Sequence, residues 1–352
     1  MINKIFNCIS IHNGGGITYL SMMHHEMDKK GTLIFLDYRA KKYIKPFVNA
    51  EIIFFKKNLF RNLFVLKERL KSSLKYRNYL KKNKKKEYFK EYFLNGIPPF
   101  FRFPTSSNKV FVLFQNKNLF SYLNYFDNKL FFNLNFIIYH IIHSFLINSF
   151  LKNSDIIIVQ TNSMRKTILS LKPKNIVDVE NIYWKNLKLE TYKSNVIKKN
   201  KNKINQSLII NIKKLSKNHI LFFYPSSFQP HKNHKLLIRA FIKSSLISEK
   251  NIKLILTIDE NKLPIKYRNN RHISFIGMQS INTINEIYKI ADYLIFPSLN
   301  ESLGLPLLEA SFYKLPIIAP NLDYVYEVCK PNIIFDPYSE EDLNNKILGT
   351  IN

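Results

Sequence analysis

Two doubly wound α/β units are what this sequence predicts, and three observations carry the prediction. Apolar runs of strand length alternate with helix-period segments in two successive series, the pattern of parallel sheets wrapped by helices. A stretch rich in Lys and Asn and poor in aromatics, Lys185 to Lys217, separates the two series. With 352 residues and 46% apolar composition, the chain can fill two cores and is not a mainly disordered protein.

In the first series strands are predicted at Lys4 to Ile9, Thr32 to Leu36, Glu51 to Phe55, Lys109 to Phe114, Asp155 to Gln160 and Asn175 to Val179. Helices are expected at Thr18 to Lys29, within Lys56 to Lys90, over Leu119 to Leu151 and after Thr161. The second series has strands at Ile220 to Tyr224, Ile252 to Ile258, Ile273 to Ile276, Tyr293 to Phe296, Pro316 to Ala319 and Ile333 to Phe335. His234 to Ser245, Asn282 to Ala291 and Glu340 to Leu348 read as helices between or after them. The domains are therefore placed at residues 1–190 and 217–352, with residues 191–216 as a Lys/Asn-rich linker. Leu130 to Leu151 carries no formal charge and is long enough to span a bilayer. Asn133, Asn135, His140, His143 and Asn148 interrupt it, and polar side chains at membrane depth are costly, so a buried or membrane-apposed helix is expected.

Two cysteines, Cys8 and Cys329, lie far apart in the chain and suggest neither a disulfide framework nor a zinc site, so a reducing compartment is expected. The opening Met1 to Ile9 is too short and too soon interrupted by polar residues for the apolar region of a signal peptide. The formal charge of +29 is concentrated: between Lys56 and Lys90 fourteen bases face only Glu68 and Glu87. Phe60, Leu63, Phe64, Leu70 and Leu74 are interleaved with them at roughly helical spacing, as on a basic amphipathic surface that lies on anionic lipid. Large aliphatics among the bases and the lack of a known binding module argue against a nucleic-acid partner.

The segment Phe296 to Ala310 carries most of the chemistry. A short apolar strand ends in Glu301 and Glu309, eight positions apart, around Gly304 and a helix-starting Pro306. Pro306 at a first helical position sets the backbone N–H groups of Leu303, Gly304 and Leu305 near the positive helix end, where a diphosphate binds. Glu301 then lies beside the phosphates. Glu309, about one turn into the helix, can accept hydrogen bonds from a ribose diol. Earlier in the same half, the strand Phe222 to Tyr224 leads through a loop to Lys232, aimed at the same crevice, where an ammonium can neutralise a leaving diphosphate. After the first strand, Gly14-Gly15-Gly16 lets backbone approach a ligand closely, without the G-x-G-x-x-G spacing of a dinucleotide site.

Glu301 and Glu309 in this setting resemble the E-x7-E signature of the family 4 (group 1) retaining glycosyltransferases of GT-B fold. Lys232, the Gly14–Gly16 loop, Phe275-Ile276-Gly277 and Leu315 to Asn321 also match that family. The likeness is close over Leu221 to Leu348 and loose before it. It implies two Rossmann-like domains facing a cleft, an N-terminal one for the acceptor and a C-terminal one for the nucleotide sugar. It further implies hexose transfer, with retention, from a nucleoside diphosphate sugar to a glycan or lipid-linked glycan in cell-surface polysaccharide synthesis. Glu301 and Lys232 become the catalytic residues, and Gly14, Gly15, Gly16, Ser227, Ser302, Leu303, Gly304, Leu305 and Glu309 the donor-binding set. The chain departs from the family in having Ser226 and Ser227 where Gly-Arg is usual, Ser302 where Gly usually follows the first Glu, and Gln115 and Asn116 where a His is usual. Those amides can bind sugar hydroxyls but cannot act as a base. No Asp-x-Asp pair is present, and the expectation is an enzyme needing no metal or other cofactor, cytoplasmic and peripheral at the inner face of the plasma membrane. The competing readings are a sugar-nucleotide epimerase or phosphorylase of the same fold, and a basic nucleic-acid-binding or nucleic-acid-modifying protein.

Overall fold

The computed structural model describes residues 2–9, 11, 14–55, 89–96, 98–99, 109–114, 149–170, 173–179 and 204–351, with residues 74, 75, 77, 78, 81, 145 and 147 between them. It divides into two compact units, Met1–Lys199 and Asn200–Asn352.

The first unit is built from β1 (Lys4–Cys8), α1 (Gly14–Met27), β2 (Thr32–Asp37), β3 (Glu51–Phe55), β4 (Lys90–Phe93), β5 (Lys109–Phe114), β6 (Ile156–Val159), α2 (Asn162–Leu169) and β7 (Ile176–Val179). All seven strands pair in parallel, in the order β3-β2-β1-β4-β5-β6-β7. Both faces of such a sheet need cover, which is why β2 is buried along its whole length. Ile5, Phe35, Phe93 and Val112 pack on one side, and Phe6, Ile34, Leu20 and Met27 on the other.

Two local features of this unit differ from the sequence-based expectation. The helix begins at Gly14, so the three glycines form its first turn instead of a loop ahead of Thr18. Their lack of side chains leaves that helix end bare, where backbone N–H groups have no intrahelical acceptor. Strand β4 was not expected, because Lys-Glu-Tyr-Phe follows a run of lysines and sets two charged residues before two aromatics without the alternation of a half-buried strand; pairing with β1 and β5 nonetheless buries Glu91 and Phe93. In the basic stretch, helical residues are described at Leu74, Lys75, Arg77, Asn78 and Lys81, Phe89 and Lys90 lead into β4, and the rest lies outside the described residues. So do Gln115, Asn116, His12 and nearly all of Leu119 to Leu151. Among the described residues no helix is long and apolar enough to cross a membrane.

The second unit comprises α3 (Gln206–Leu215), β8 (Ile220–Tyr224), α4 (His234–Ile247), β9 (Ile252–Leu256), β10 (Ile273–Phe275), α5 (Ile281–Ile290), β11 (Tyr293–Ile295), α6 (Leu305–Phe312), β12 (Ile317–Pro320), α7 (Asp323–Val328), β13 (Ile333–Phe335) and α8 (Glu340–Ile351). Helix α3 lies inside the segment 191–216 expected as a linker. Asn205 caps it by accepting from the Leu208 N–H, and Ile209 and Ile212 enter the core of this unit. The six parallel strands run β10-β9-β8-β11-β12-β13. Phe222, Phe223 and Tyr224 are fully buried, each contributing about 1.5 to 3 kcal/mol of apolar burial. Asp292 ties the start of β11 to β8: its backbone N–H donates to the Leu221 carbonyl and its carboxylate accepts from the Leu221 N–H at 2.8 Å.

Candidate active site in the second unit

In a doubly wound sheet the strand order reverses at one place, and the loops leaving the carboxyl ends of the two strands there diverge to opposite faces and leave a crevice. In the second unit that place lies between β8 and β11, which pair directly. The loop after β8 carries Lys232 and the loop after β11 carries Glu301. Topology therefore brings together the two residues that the sequence singles out.

Lys232 ends a short 3-10 turn, Pro230–Lys232, and Asn233 follows it with φ 53° and ψ 35°. That left-handed conformation suits Asn better than any other residue with a side chain except Asp, and it aims the chain into α4. The Asn233 amide also donates to the Pro337 carbonyl at 3.2 Å. On the other loop Gly304 takes φ 69°, and a Cβ there would sit 3.1 Å from Leu307 Cδ1. Helix α6 then starts at Leu305, so Pro306 occupies its second position rather than its first. The consequence is the same, since its missing N–H falls among the donors that have no intrahelical partner.

The two loops are fastened to each other and to the core. Ser298 Oγ and the Leu299 N–H both donate to the His231 carbonyl, at 3.2 and 2.8 Å. Tyr224 Oη donates to the Lys232 carbonyl at 3.0 Å, and Tyr324 Oη to the Ser298 carbonyl at 2.5 Å. Burial and the nearby Glu301 charge push both phenols well above their ordinary pKa, so they stay donors. Behind Lys232, the His234 ring is 2% exposed and its Nε2 lies 3.0 Å from Ser226 Oγ. Burial, then the neighbouring Lys232 and His231, lower its pKa to about 3, so it is neutral. Ser226 is held in turn by Thr257, which accepts from its N–H at 2.8 Å and donates to its carbonyl at 3.0 Å. Ser227 is exposed.

At the centre, Lys232 Nζ donates to Glu301 Oε1 at 2.5 Å. The side chains are only 14% and 12% exposed. Burial alone would raise the pKa of Glu301, yet the Lys232 ammonium, and His231 after it, hold it below the ordinary carboxylate value. Glu309 lies farther along α6, half-buried, with Tyr288 Oη donating to its Oε2 at 2.9 Å. Leu303 and Gly304 are buried, while Ser302 and Leu305 are half-buried. A separate surface pocket of about 480 Å³ opens beside β10, lined by Asp259, Glu260, Asn269, Asn270 and Gly277 among others. Its two carboxylates make it a poor host for phosphate.

Gly14, Gly15 and Gly16 belong to the first unit, at the start of α1 after β1. Among the described residues no group of three or more His, Cys, Asp or Glu side chains could hold a metal ion. The roles of Tyr224, Tyr288, Ser298 and Tyr324 are not written in the local sequence, because each side chain bonds to a group on another element or loop that only the fold brings near.

Residues 205–352 match the family described as Glycosyl transferases group 1. No curated protein sequence matches the chain significantly. Among solved structures, Anabaena HepE in complex with UDP and glucose is similar with TM-score 0.63 and 16% identity, over 100% of this chain and 90% of that one. WaaG, a glycosyltransferase involved in lipopolysaccharide biosynthesis, has TM-score 0.67 and 14% identity over 99% of this chain and 90% of that one. Sucrose-phosphate synthase from Thermosynechococcus elongatus has TM-score 0.69 and 12% identity, over 99% and 89%. At such identities the structures speak for the fold alone. The chain thus has two Rossmann-like units of the kind found in GT-B glycosyltransferases, and its second unit matches the group 1 glycosyl transferases, which supports a transferase enzyme.

Proposed function

We propose that the protein transfers a hexose from a nucleoside diphosphate sugar to a hydroxyl of a glycan or lipid-linked glycan, with retention of configuration, in the synthesis of a cell-surface polysaccharide. The observation that carries this reading is the Lys232–Glu301 pair at the strand-order reversal, flanked by the start of α6 and by Glu309. A diphosphate has the charge to take the Lys232 ammonium from Glu301 and to meet the positive end of α6. Glu301, released from the lysine, then faces the donor sugar and can orient its hydroxyls and steady developing positive charge. Glu309 accepts from the ribose. As the bond from the anomeric carbon to the diphosphate breaks, the electron pair leaves with the phosphate, where Lys232 and the helix end stabilise it, while the acceptor oxygen bonds to the anomeric carbon and its proton passes to the departing phosphate oxygen. These groups do the work that a divalent ion does elsewhere, so no metal is required.

Support for the substrate class comes from the relatives: one is solved with UDP and glucose, another is named for lipopolysaccharide biosynthesis, and a third is a lipopolysaccharide outer core galactosyltransferase. The clustered bases of Lys56 to Lys90, with Lys75 and Lys81 exposed, support an anionic membrane surface as the place of action, at the cytoplasmic face, and a lipid-linked acceptor. The test is a panel of UDP- and GDP-hexoses, with donor hydrolysis followed as nucleotide release. Release from at least one donor, lost in Glu301→Gln, is expected; a donor converted to another sugar nucleotide without nucleotide release would mean an epimerase.

A further inference from the structure

Tyr288 sits on α5, away from both site loops, and its ring is 1% exposed. It is held edge-on by Phe223 of β8, with centroids 5.2 Å apart and planes at 79°. On another side it stacks on Tyr313, 5.4 Å away and 10° from parallel. A ring so confined has little rotamer freedom, and its hydroxyl reaches Glu309 Oε2 at 2.9 Å; the Pro306 carbonyl is farther, at 3.5 Å. Glu309 has a side chain with three rotatable bonds and stands on a half-buried helix face. A hydrogen bond from a fixed phenol to a charged carboxylate is among the stronger kinds and sets the plane of that carboxylate. A carboxylate held in place meets a diol without first losing rotamer freedom, and that loss is a direct cost of binding.

We propose that Tyr288 is a positioning residue for nucleotide binding, holding the Glu309 carboxylate in the orientation in which it accepts the ribose hydroxyls. This rests on the assignment of Glu309 to the ribose made above. A bond that only satisfies a buried phenol would affect unfolding and leave affinity alone, so the two roles separate by measurement.

The experiment is calorimetric titration of the full chain with UDP and with GDP, for the wild type, Tyr288→Phe, Glu309→Ala and the double variant, with thermal unfolding recorded for each. Phe keeps the ring contacts and removes one oxygen. Weakening of the preferred nucleotide by about tenfold in Tyr288→Phe is expected, equal to about 1.4 kcal/mol. In the Glu309→Ala background the same change is expected to have no effect on affinity, because the carboxylate it positions is gone. Should Tyr288→Phe lower stability as well, the cycle still decides, since it compares affinities among folded fractions. Wild-type affinity in Tyr288→Phe beside weakened binding in Glu309→Ala overturns the inference alone, as do effects that multiply in the double variant. If Glu309→Ala binds as the wild type does, or the wild type binds neither nucleotide, the site reading fails and this inference with it.

Discussion

Lys232 Nζ lies 2.5 Å from Glu301 Oε1 although the two residues are 69 positions apart in the chain. The pair is largely removed from water, and taking away one partner leaves the other charge buried and uncompensated. Lys232→Ala is therefore expected to cost about 3 kcal/mol of stability in urea unfolding, whereas the double change Lys232→Met with Glu301→Leu restores most of it. Catalysis behaves differently: Lys232→Ala loses about 2 to 4 kcal/mol of transition-state stabilisation, the scale of one electrostatic donor, and the double variant does not regain it. Equal stability of the single variant and the wild type would show that the pair is solvated in solution.

Glu309→Ala is expected to raise the KM for the donor with little change in kcat, and Glu301→Ala to lower kcat with little change in KM. The division follows from their places, Glu309 on α6 beside Tyr288 and Glu301 paired with Lys232, the cation proposed to meet the phosphates. Initial-rate kinetics on the preferred donor decide it, and interchange of the two effects would reverse the roles.

His234 and Glu301 both make the second unit sensitive to acid. The folded pKa of His234 is lowered to about 3 from an ordinary 6.5, so the unfolded chain binds its proton more readily at every pH between those values. Stability rises with pH wherever that holds. Falling pH thus removes about 1.4 kcal/mol per unit once below 6.5, and about 2 kcal/mol by pH 5. Glu301, whose pKa is also lowered, adds to the loss only below the ordinary carboxylate value, where the unfolded chain protonates first. Urea unfolding at pH 7.5 and 5.0 should show this slope in the wild type and a flatter one in His234→Gln; identical slopes would mean that the ring is reached by water.

On the proposed reading, in which Lys232 and backbone dipoles meet the phosphate charge, activity is expected to survive EDTA. Abolition by the chelator with recovery on adding Mg or Mn would contradict the proposed division of labour.

Sedimentation with liposomes tests the basic stretch. Each Lys or Arg near an anionic surface adds about 1 kcal/mol, so binding to phosphatidylglycerol vesicles at low salt and release at high salt are expected. Changing Lys81, Lys82, Lys84, Lys85 and Lys86 to Gln should weaken it. Equal binding to neutral and anionic vesicles, or none to either, would leave the charge a matter of composition.

Strands β3, β5, β8 and β13 lie where their apolar runs begin and end, because charged or turn-forming residues bound each run. Strand β4 escaped notice because its signal is two apolar residues among charges; only its neighbours β1 and β5 make it a strand. Helix α3 was hidden by composition, its apolar Leu208, Ile209, Ile212 and Leu215 diluted by Lys and Asn. The two glutamates and Lys232 were legible since each has a fixed offset from a strand end. The tyrosines that hold their loops were not, for nothing in the local sequence of a core tyrosine says which distant carbonyl or carboxylate its hydroxyl will meet.

The His231 carbonyl, which accepts from both Ser298 Oγ and the Leu299 N–H, has a consequence for how this site can vary over evolution. A carbonyl oxygen offers two lone pairs, and here both are engaged. Changing Ser298 deletes one of these bonds, whereas the other, main chain to main chain, is lost only when proline, which has no N–H, replaces Leu299. Replacement of the imidazole at position 231 leaves the acceptor in place. The join between the Lys232 loop and the Glu301 loop therefore keeps one of its two bonds after any single substitution, and relatives can preserve the main-chain bond while sharing neither side chain.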